Sequence, residues 1–286
     1  MRDSARLRGR FVDGSRGALA VVIWTPPPGV AARFAVLHVP AAFEEMNKSR
    51  RMVALQARAF AAAGGCVVSY DPSGTGDSAG DHGEATWARW RDDAAAAWTF
   101  MRNEFPVPGV LWGLRLGALL AASVAADAHF APSALLLWQP VASGATYFNQ
   151  FLRLAAASEI AGRTGPARDG KMLRTTLAAG GSVEIAGYAV HADLVTGCST
   201  VNLDAVALPG CPVIWRESSP GAPVEASAWA QKIAQRWEAA GVPVDLSAVS
   251  GPSFWASAEI EESPALIAAT TEAVTRQIAP ALAVAH

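Results

Sequence analysis

The 286-residue chain is poor in the features that mark membrane, metal and nucleic-acid proteins. It has no uncharged apolar stretch of about 18 residues, so no transmembrane helix is expected. Its start, Met1-Arg2-Asp3-Ser4-Ala5-Arg6-Leu7-Arg8, carries charge but no apolar core, so no signal peptide is read there. No run of like charges occurs. A formal charge of −2 and a pI near 6.2 leave no basic footprint for nucleic acid. The cysteines are three, Cys66, Cys198 and Cys211, an odd number at wide spacings. They read as buried reduced thiols of a cytoplasmic protein. No Cys/His spacing resembles a zinc site, and neither metal nor cofactor is expected. A small-molecule or lipid- or sugar-linked substrate fits as partner. Nothing in the sequence sets an oligomeric state.

What is there is apolar: 51% hydrophobic and 17% charged residues, the balance of a folded globular chain. The length suits two small domains or one large α/β domain, and roughly 75% of the unfolded surface can be buried at this size. Residues 7–12 and 18–24 read as a β-hairpin, stopped by Pro26-Pro27-Pro28. Residues 34–39 and 66–70 are short, nearly continuous apolar runs, as in buried parallel strands. Between them, residues 40–48 are expected as a loop, with Ser49 capping a helix to residue 63. Thr86 caps a second helix from 87 to about 103. Then come a strand at 110–112, a helix at 115–127 and a strand at 134–138.

The alternation breaks from 140 to 209. That stretch holds a helix at 147–160, a polar loop at 162–170, a strand or extended segment at 182–188 and a short helix near 192–195. Order returns with a strand at 212–215, a helix at 225–240, a strand at 244–249 and a helix at 264–282. Parallel strands with helical crossovers are implied. The fold class is α/β: a mostly parallel eight-stranded sheet with helices on both faces. The core is residues 1–139 and 210–286, and residues 140–209 form a cap or lid.

One stretch organises this plan. Gly113-Leu114-Arg115-Leu116-Gly117 follows a strand and opens an alanine-rich helix. It has the shape of a nucleophile elbow, G-x-S-x-G, with arginine in place of the serine. Ahead of it, Asp71-Pro72-Ser73-Gly74-Thr75-Gly76-Asp77-Ser78 is a glycine-rich loop after a strand. With the cap after the sixth strand, these segments resemble the α/β-hydrolase fold over most of residues 5–282.

More narrowly, four segments are similar to the exosortase A system-associated hydrolases, type 2. They are Phe43-Glu44-Glu45-Met46-Asn47-Lys48-Ser49-Arg50-Arg51-Met52, residues 112–120, Leu137-Trp138-Gln139-Pro140-Val141 and Phe151-Leu152-Arg153. The resemblance implies a setting in exopolysaccharide production and surface-protein sorting. It does not name a substrate.

A serine hydrolase of this fold needs Ser, Asp/Glu and His in that order. Arg115 cannot be the nucleophile, because its guanidinium stays protonated. The acid belongs after the seventh strand, where Arg216-Glu217-Ser218-Ser219 makes Glu217 either the candidate or a solvated loop carboxylate. The histidine belongs after the eighth strand, and Ser250-Gly251-Pro252-Ser253-Phe254-Trp255 has none. His38 reads as a core residue and His82 and His129 as loop or helix-end residues. His286 is the terminus, and His191 is placed in the cap within reach of the cleft. Ser73 and Ser78 lie in the glycine-rich loop with no evident base, and Cys198 lies in the cap with His191 seven residues before it.

An arginine at a helix N-terminus adds charge to an already positive end, so it needs an anion. Glu44 or Glu45 can supply it, with Glu217 contributing. So can a ligand carboxylate, phosphate or sulfate. The candidate chemical residues are therefore Arg115, Glu44, Glu45 and Glu217. The candidate ligand-binding residues are Phe43, Asn47, Lys48, Leu116, Trp138, Gln139, His191, Ser253 and Trp255. Trp24, Trp112, Trp138, Trp215 and Trp255 fall near strand ends, either as packing or as a stacking wall above the sheet. Three functions fit: an atypical hydrolase or transferase on an ester- or anion-bearing substrate, a catalytically silent binding protein, and a serine esterase with an unrecognised nucleophile.

Overall fold

The structure is a computed structural model, describing residues 5–14, 16–161, 170–208 and 210–283. Eight strands form one sheet in the order β1-β2-β4-β3-β5-β6-β9-β10. The hairpin β1 (Arg6–Gly14) and β2 (Gly17–Thr25) is antiparallel, as is β2 against β4 (Gly65–Tyr70). The other pairs, through β3 (Phe34–Val39), β5 (Gly109–Leu114), β6 (Ala134–Trp138), β9 (Val213–Ser219) and β10 (Val244–Ser250), are parallel. The expected mostly parallel eight-stranded sheet is what forms. β3, β5 and β6 are buried along their whole length, which explains their continuous apolar sequence without alternation.

Helices cover both faces. Helix α1 (Phe43–Ala62) and α8 (Pro264–Ala283) pack on one face around Phe60, Trp112, Trp138 and Phe254. Helices α2 (Trp87–Glu104), α3 (Leu116–Ala125) and α7 (Ala228–Ala239) pack on the other, with Trp98, Leu119, Trp215 and Trp237 in that core. Trp112, Trp138 and Trp215 are fully buried. The Trp112 and Trp138 rings meet edge to face at 4.8 Å, and removing either ring should cost about 3–5 kcal/mol. Trp138 therefore belongs to the core and not to a ligand wall; its indole N–H donates to the Thr270 hydroxyl at 2.9 Å.

Between β6 and β9 lie α4 (Gly144–Ala161), α5 (Gly170–Ala178), a hairpin of β7 (Ser182–Ile185) and β8 (Tyr188–His191), and α6 (Ala192–Ser199). The strand or extended segment expected at 182–188 is strand β7 turning at Ala186-Gly187 into β8, and α5 is an addition to the sequence reading. Most of the expected loop at 162–170 lies outside the described residues; its last residue, Gly170, opens α5.

Two differences bear on the site. First, α1 begins at Phe43, not at Ser49. Phe43, Met46 and Ser49 are buried at helical spacing, and Glu44 and Glu45 sit in the first turn, where negative charge is stabilised. Ser49 is an interior residue whose hydroxyl donates to the Glu45 carbonyl. Second, β9 runs on to Ser219 by pairing with β10, Glu217 opposite Ala248. Glu217 thus lies within a strand, not in the loop after it.

The chain leaves β3 in one direction to β4, and β5 lies on its other side. Open α/β sheets bind ligands at such a reversal, outside the carboxyl ends of the strands. Val39 pairs with Gly113 there, so the first turns of α1 and α3 start side by side.

Candidate functional site

Arg115 sits between β5 and α3 with φ 55° and ψ −119°. A positive φ on a non-glycine residue costs of order 1–3 kcal/mol, and a strained strand-to-helix turn is what lifts a nucleophile above the sheet. The neighbouring glycines are required by close backbone approach. A Cβ on Gly117 would run into the Val39 and Pro40 carbonyls, and one on Gly113 into the backbone of Ala118. The Arg115 N–H donates to the Trp138 carbonyl at 3.1 Å. The strand-to-helix turn is tight and hydrogen-bonded to β6, and the side chain at its apex is a guanidinium.

That guanidinium turns toward α1. Its Nε donates to Glu45 Oε1 at 3.0 Å and its Nη1 to the Gln139 carbonyl at 3.3 Å. Its Cζ lies 5.4 Å from the Trp255 ring centroid, a cation–π contact. The Arg115 and Glu45 side chains are 16% and 20% exposed. Glu45 Oε2 is buried without a hydrogen-bond partner. Burial pushes the Glu45 carboxyl above its ordinary range; Arg115, the nearby Tyr147 hydroxyl and Lys48 pull it back only in part. The Tyr147 phenol is raised too, by burial first and then by Glu45.

The pair opens into a cavity of about 480 Å³, lined by Ala42, Phe43, Glu44, Glu45, Lys48, Arg115, Tyr147, Gln150, Phe151, Ile185, Ala186, Trp255 and Ala256. Phe43 anchors its aromatic side, stacking on Phe151 at 4.5 Å. Lys48 Nζ donates to the Ala256 carbonyl.

Of the residues singled out in the sequence, Arg115, Glu44, Glu45, Phe43, Lys48 and Trp255 converge on this cavity. Asn47 stands beside it and donates to the Tyr188 hydroxyl at 2.9 Å, which donates in turn to Glu44 at 3.2 Å. Gln139 receives Arg115 on its carbonyl, and its side-chain oxygen accepts the Ser218 N–H at 2.9 Å. Leu116 is buried and leads α3, whose first N–H groups have no intrahelical acceptor.

Four residues are placed elsewhere. Trp138 is in the core. Glu217 is buried and accepts both the backbone N–H and the hydroxyl of Ser227, at 2.7 and 2.9 Å; it holds the start of α7 and does not line the cavity. His191 ends β8, and its Nδ1 accepts the Asp193 N–H, capping α6. Ser253 does not line the cavity and lies in a local turn, its carbonyl accepting from Ala256 and Ser257.

The histidine packed on a cavity residue is His82, 5.3 Å from the Phe43 ring. Its Nδ1 pairs with the Ala189 carbonyl, and it does not line the cavity. Tyr147, Phe151 and Ile185 were not singled out in the sequence as ligand-contacting residues. The helical spacing of Tyr147 and Phe151 in the expected helix was their available signal.

The other nucleophile candidates are occupied. Ser73 gives its N–H and hydroxyl to buried Asp93, both at 2.8 Å. Ser78 donates to the Asp71 carbonyl and accepts the Ala20 N–H. The glycine-rich loop is thereby tied to α2 and β2. Burial pushes the Cys198 thiol up to about 12. His38 is buried against Trp112, pairs with Ser69 and is held down to about 3 by burial and then by Arg50, so it is neutral. It lines a second cavity of about 480 Å³ with Trp24, Met46, Arg50 and Ser69.

A family model described as serine aminopeptidase, S33, matches residues 42–184, which span β3's exit, the elbow and β7. The chain belongs to this family of α/β-hydrolases. No curated protein matches its sequence. Among solved structures, it is similar to Est1E from Butyrivibrio proteoclasticus with ferulic acid bound: TM-score 0.67, 15% identity, 94% of this chain and 99% of that one. It is also similar to a lipase in its open form, TM-score 0.63 and 17% identity, covering 97% and 99%. A serine hydrolase without lid from Xanthomonas campestris gives TM-score 0.56 and 18% identity, covering 96% and 94%. At these identities the likeness is one of fold. Residue 115 stands at the strand-to-helix turn between β5 and α3, and the β3–α1 connection lies beside it.

Proposed function

We propose that this α/β-hydrolase is an atypical hydrolase or transferase acting on an ester- or anion-bearing substrate, with Glu45 and Arg115 in place of a Ser-His-Asp triad. The observation that carries it is the Glu45 carboxylate, held on Arg115 by one oxygen and unpartnered on the other, at an open cavity at the carboxyl ends of β3 and β5. A carboxyl raised by burial is a stronger base than a free one and suits general acid–base work. In hydrolysis, Glu45 takes a proton from water as its oxygen bonds the carbonyl carbon. Arg115 and the N-terminal amides of α3 stabilise the oxyanion. The C–O bond to the leaving group then breaks, and Glu45 returns the proton to the leaving oxygen. A transferase runs the same steps with an acceptor hydroxyl replacing water.

In this reading residues 140–209 are a cap that supplies Tyr147, Phe151 and Ile185 to the cavity wall. The similarity of residues 43–52 and 112–120 to the exosortase-associated type 2 hydrolases supports a role in exopolysaccharide or surface-protein processing. The three buried free thiols support a cytoplasmic setting. The test is turnover of p-nitrophenyl esters by the wild type and by Glu45→Gln, with fluorophosphonate labelling alongside. Turnover lost in the variant and no covalent adduct support the proposal. An adduct, or full activity in Glu45→Gln, overturns it.

A second reading is a silent binding protein on the same fold. It is favoured by the engagement of Arg115 by Glu45, Gln139 and Trp255 within the protein itself. Saturable ligand binding with no turnover of any ester decides for it.

A further inference from the structure

The Arg115 cavity has a charge pattern and a shape that narrow its ligand. The argument rests on the reading above that this cavity is the substrate site. Its charged lining is two cations, Arg115 and Lys48, and two acids, Glu44 and Glu45, so the formal charges cancel. Lys48 is engaged by the Ala256 carbonyl and Glu44 by the Tyr188 hydroxyl. Arg115 uses Nε and Nη1; among the described residues Nη2 makes no hydrogen bond. A guanidinium has five N–H donors in a fork matched to a carboxylate, so room for an anionic group exists on this side chain. The rest of the wall is apolar: Phe43, Phe151, Trp255 and Ile185.

An anion placed on Arg115 lies beside Glu45. Two carboxylates sharing one site cannot both stay ionised without cost, and one of them takes a proton. We propose that the cavity binds a monoanionic carboxylic acid with an aromatic or medium-chain apolar body, held by Arg115 and sharing one proton with the Glu45 carboxyl. Among the described residues, the groups facing Glu45 permit this. On α1 these are Glu44 and Lys48, both already engaged. At the start of α3 it is Arg115. On α4 it is Tyr147, whose hydroxyl stays protonated because burial and Glu45 both hold its phenol up. The loop after β10 brings the neutral Trp255 ring. A dianion such as a phosphate monoester fits less well, because with Glu45 protonated the formal balance leaves a single net positive charge.

Linkage fixes the sign. The complex holds one proton more than the free protein plus ligand, so affinity falls as pH rises.

The experiment is calorimetric titration of 4-phenylbutyrate into the intact protein at pH 6, 7 and 8, each in two buffers of different ionisation enthalpy. Expected are net proton uptake and a Kd that rises with pH, by at most about tenfold per pH unit. 4-Phenylbutyramide, which has no charge, binds without that dependence. Glu45→Gln, which keeps the side chain's shape, binds the acid with no proton uptake and a flat pH profile. Arg115→Gln loses binding. No saturable binding, binding without proton uptake, or an unchanged pH profile in Glu45→Gln overturns the proposal. Ester turnover is scored separately: proton-linked binding without turnover leaves this inference standing and removes the enzyme reading. Turnover with proton-independent acid binding does the reverse.

Discussion

Glu45 and Glu217 are both acids placed at the carboxyl side of a parallel sheet, and they do opposite things. Glu217 has its two oxygens filled by the N–H and hydroxyl of Ser227. It ties β9 to α7 and has nothing left to offer a substrate. Glu45 has one oxygen on Arg115 and the other buried without a partner, at the wall of a cavity. Asp93, which holds Ser73 twice, stands with Glu217. The contrast teaches where to look for chemistry in a rebuilt site. A buried acid whose lone pairs are all satisfied is structure, while one that is desolvated, half-paired and part of a cavity wall is the candidate for the proposed acid–base chemistry.

The largest effect that sharpens this contrast is on Glu45. Glu45→Gln should lower kcat for any ester turned over by about 10²–10⁴-fold, the span of general acid–base catalysis, with little loss of folded protein. Steady-state kinetics with a melting curve checks both. The mirror change is Glu217→Ala. It should leave activity per folded molecule near wild type and lower stability by about 1–3 kcal/mol, because the Ser227 N–H loses its buried acceptor. Urea unfolding measures this, and a variant that is stable but inactive would break the contrast.

The pH profile comes next. As a base Glu45 acts ionised, so kcat/KM should rise with pH on an acid limb centred above the ordinary carboxylate range. A carboxyl raised in the fold binds protons more tightly there than in the unfolded chain. Its contribution to stability is therefore lost as pH rises from its unfolded value through its folded one. Glu45→Gln should remove both the limb and that slope. The smallest effect is at Trp255. Trp255→Ala removes a cation–π contact worth about 0.5–1 kcal/mol, and KM should rise about two- to fivefold with kcat nearly unchanged.

The tight strand-to-helix turn was legible in the sequence because backbone crowding permits no side chain at Gly113 or Gly117, whatever stands between them. The parallel strands β3, β5 and β6 were legible from their apolar runs, which are those of strands buried on both faces; their order in the sheet was not. The start of α1 was not. Phe43-Glu44-Glu45-Met46-Asn47-Lys48 reads as a polar loop until Phe43 is seen stacked on Phe151, a contact across more than a hundred residues. The fate of Glu217 was hidden for a related reason, since the length of β9 is set by its pairing with β10 and not by local composition. His191 looked available for the cleft, yet its ring nitrogen caps α6. That partner is the Asp193 N–H two residues along, which becomes visible only once the start of α6 is placed.

Arg115→Ser tests the central claim most directly, that the whole site and not one serine has been replaced. The variant restores the elbow's usual residue on a backbone already in the required conformation. Glu217 is committed to Ser227, and among the described residues no histidine lines the Arg115 cavity. Assayed with p-nitrophenyl butyrate and a fluorophosphonate probe, it should gain neither esterase activity nor a covalent adduct. A variant that hydrolyses the ester and is labelled at the introduced serine would show that a complete triad partner set is present, and would contradict the account.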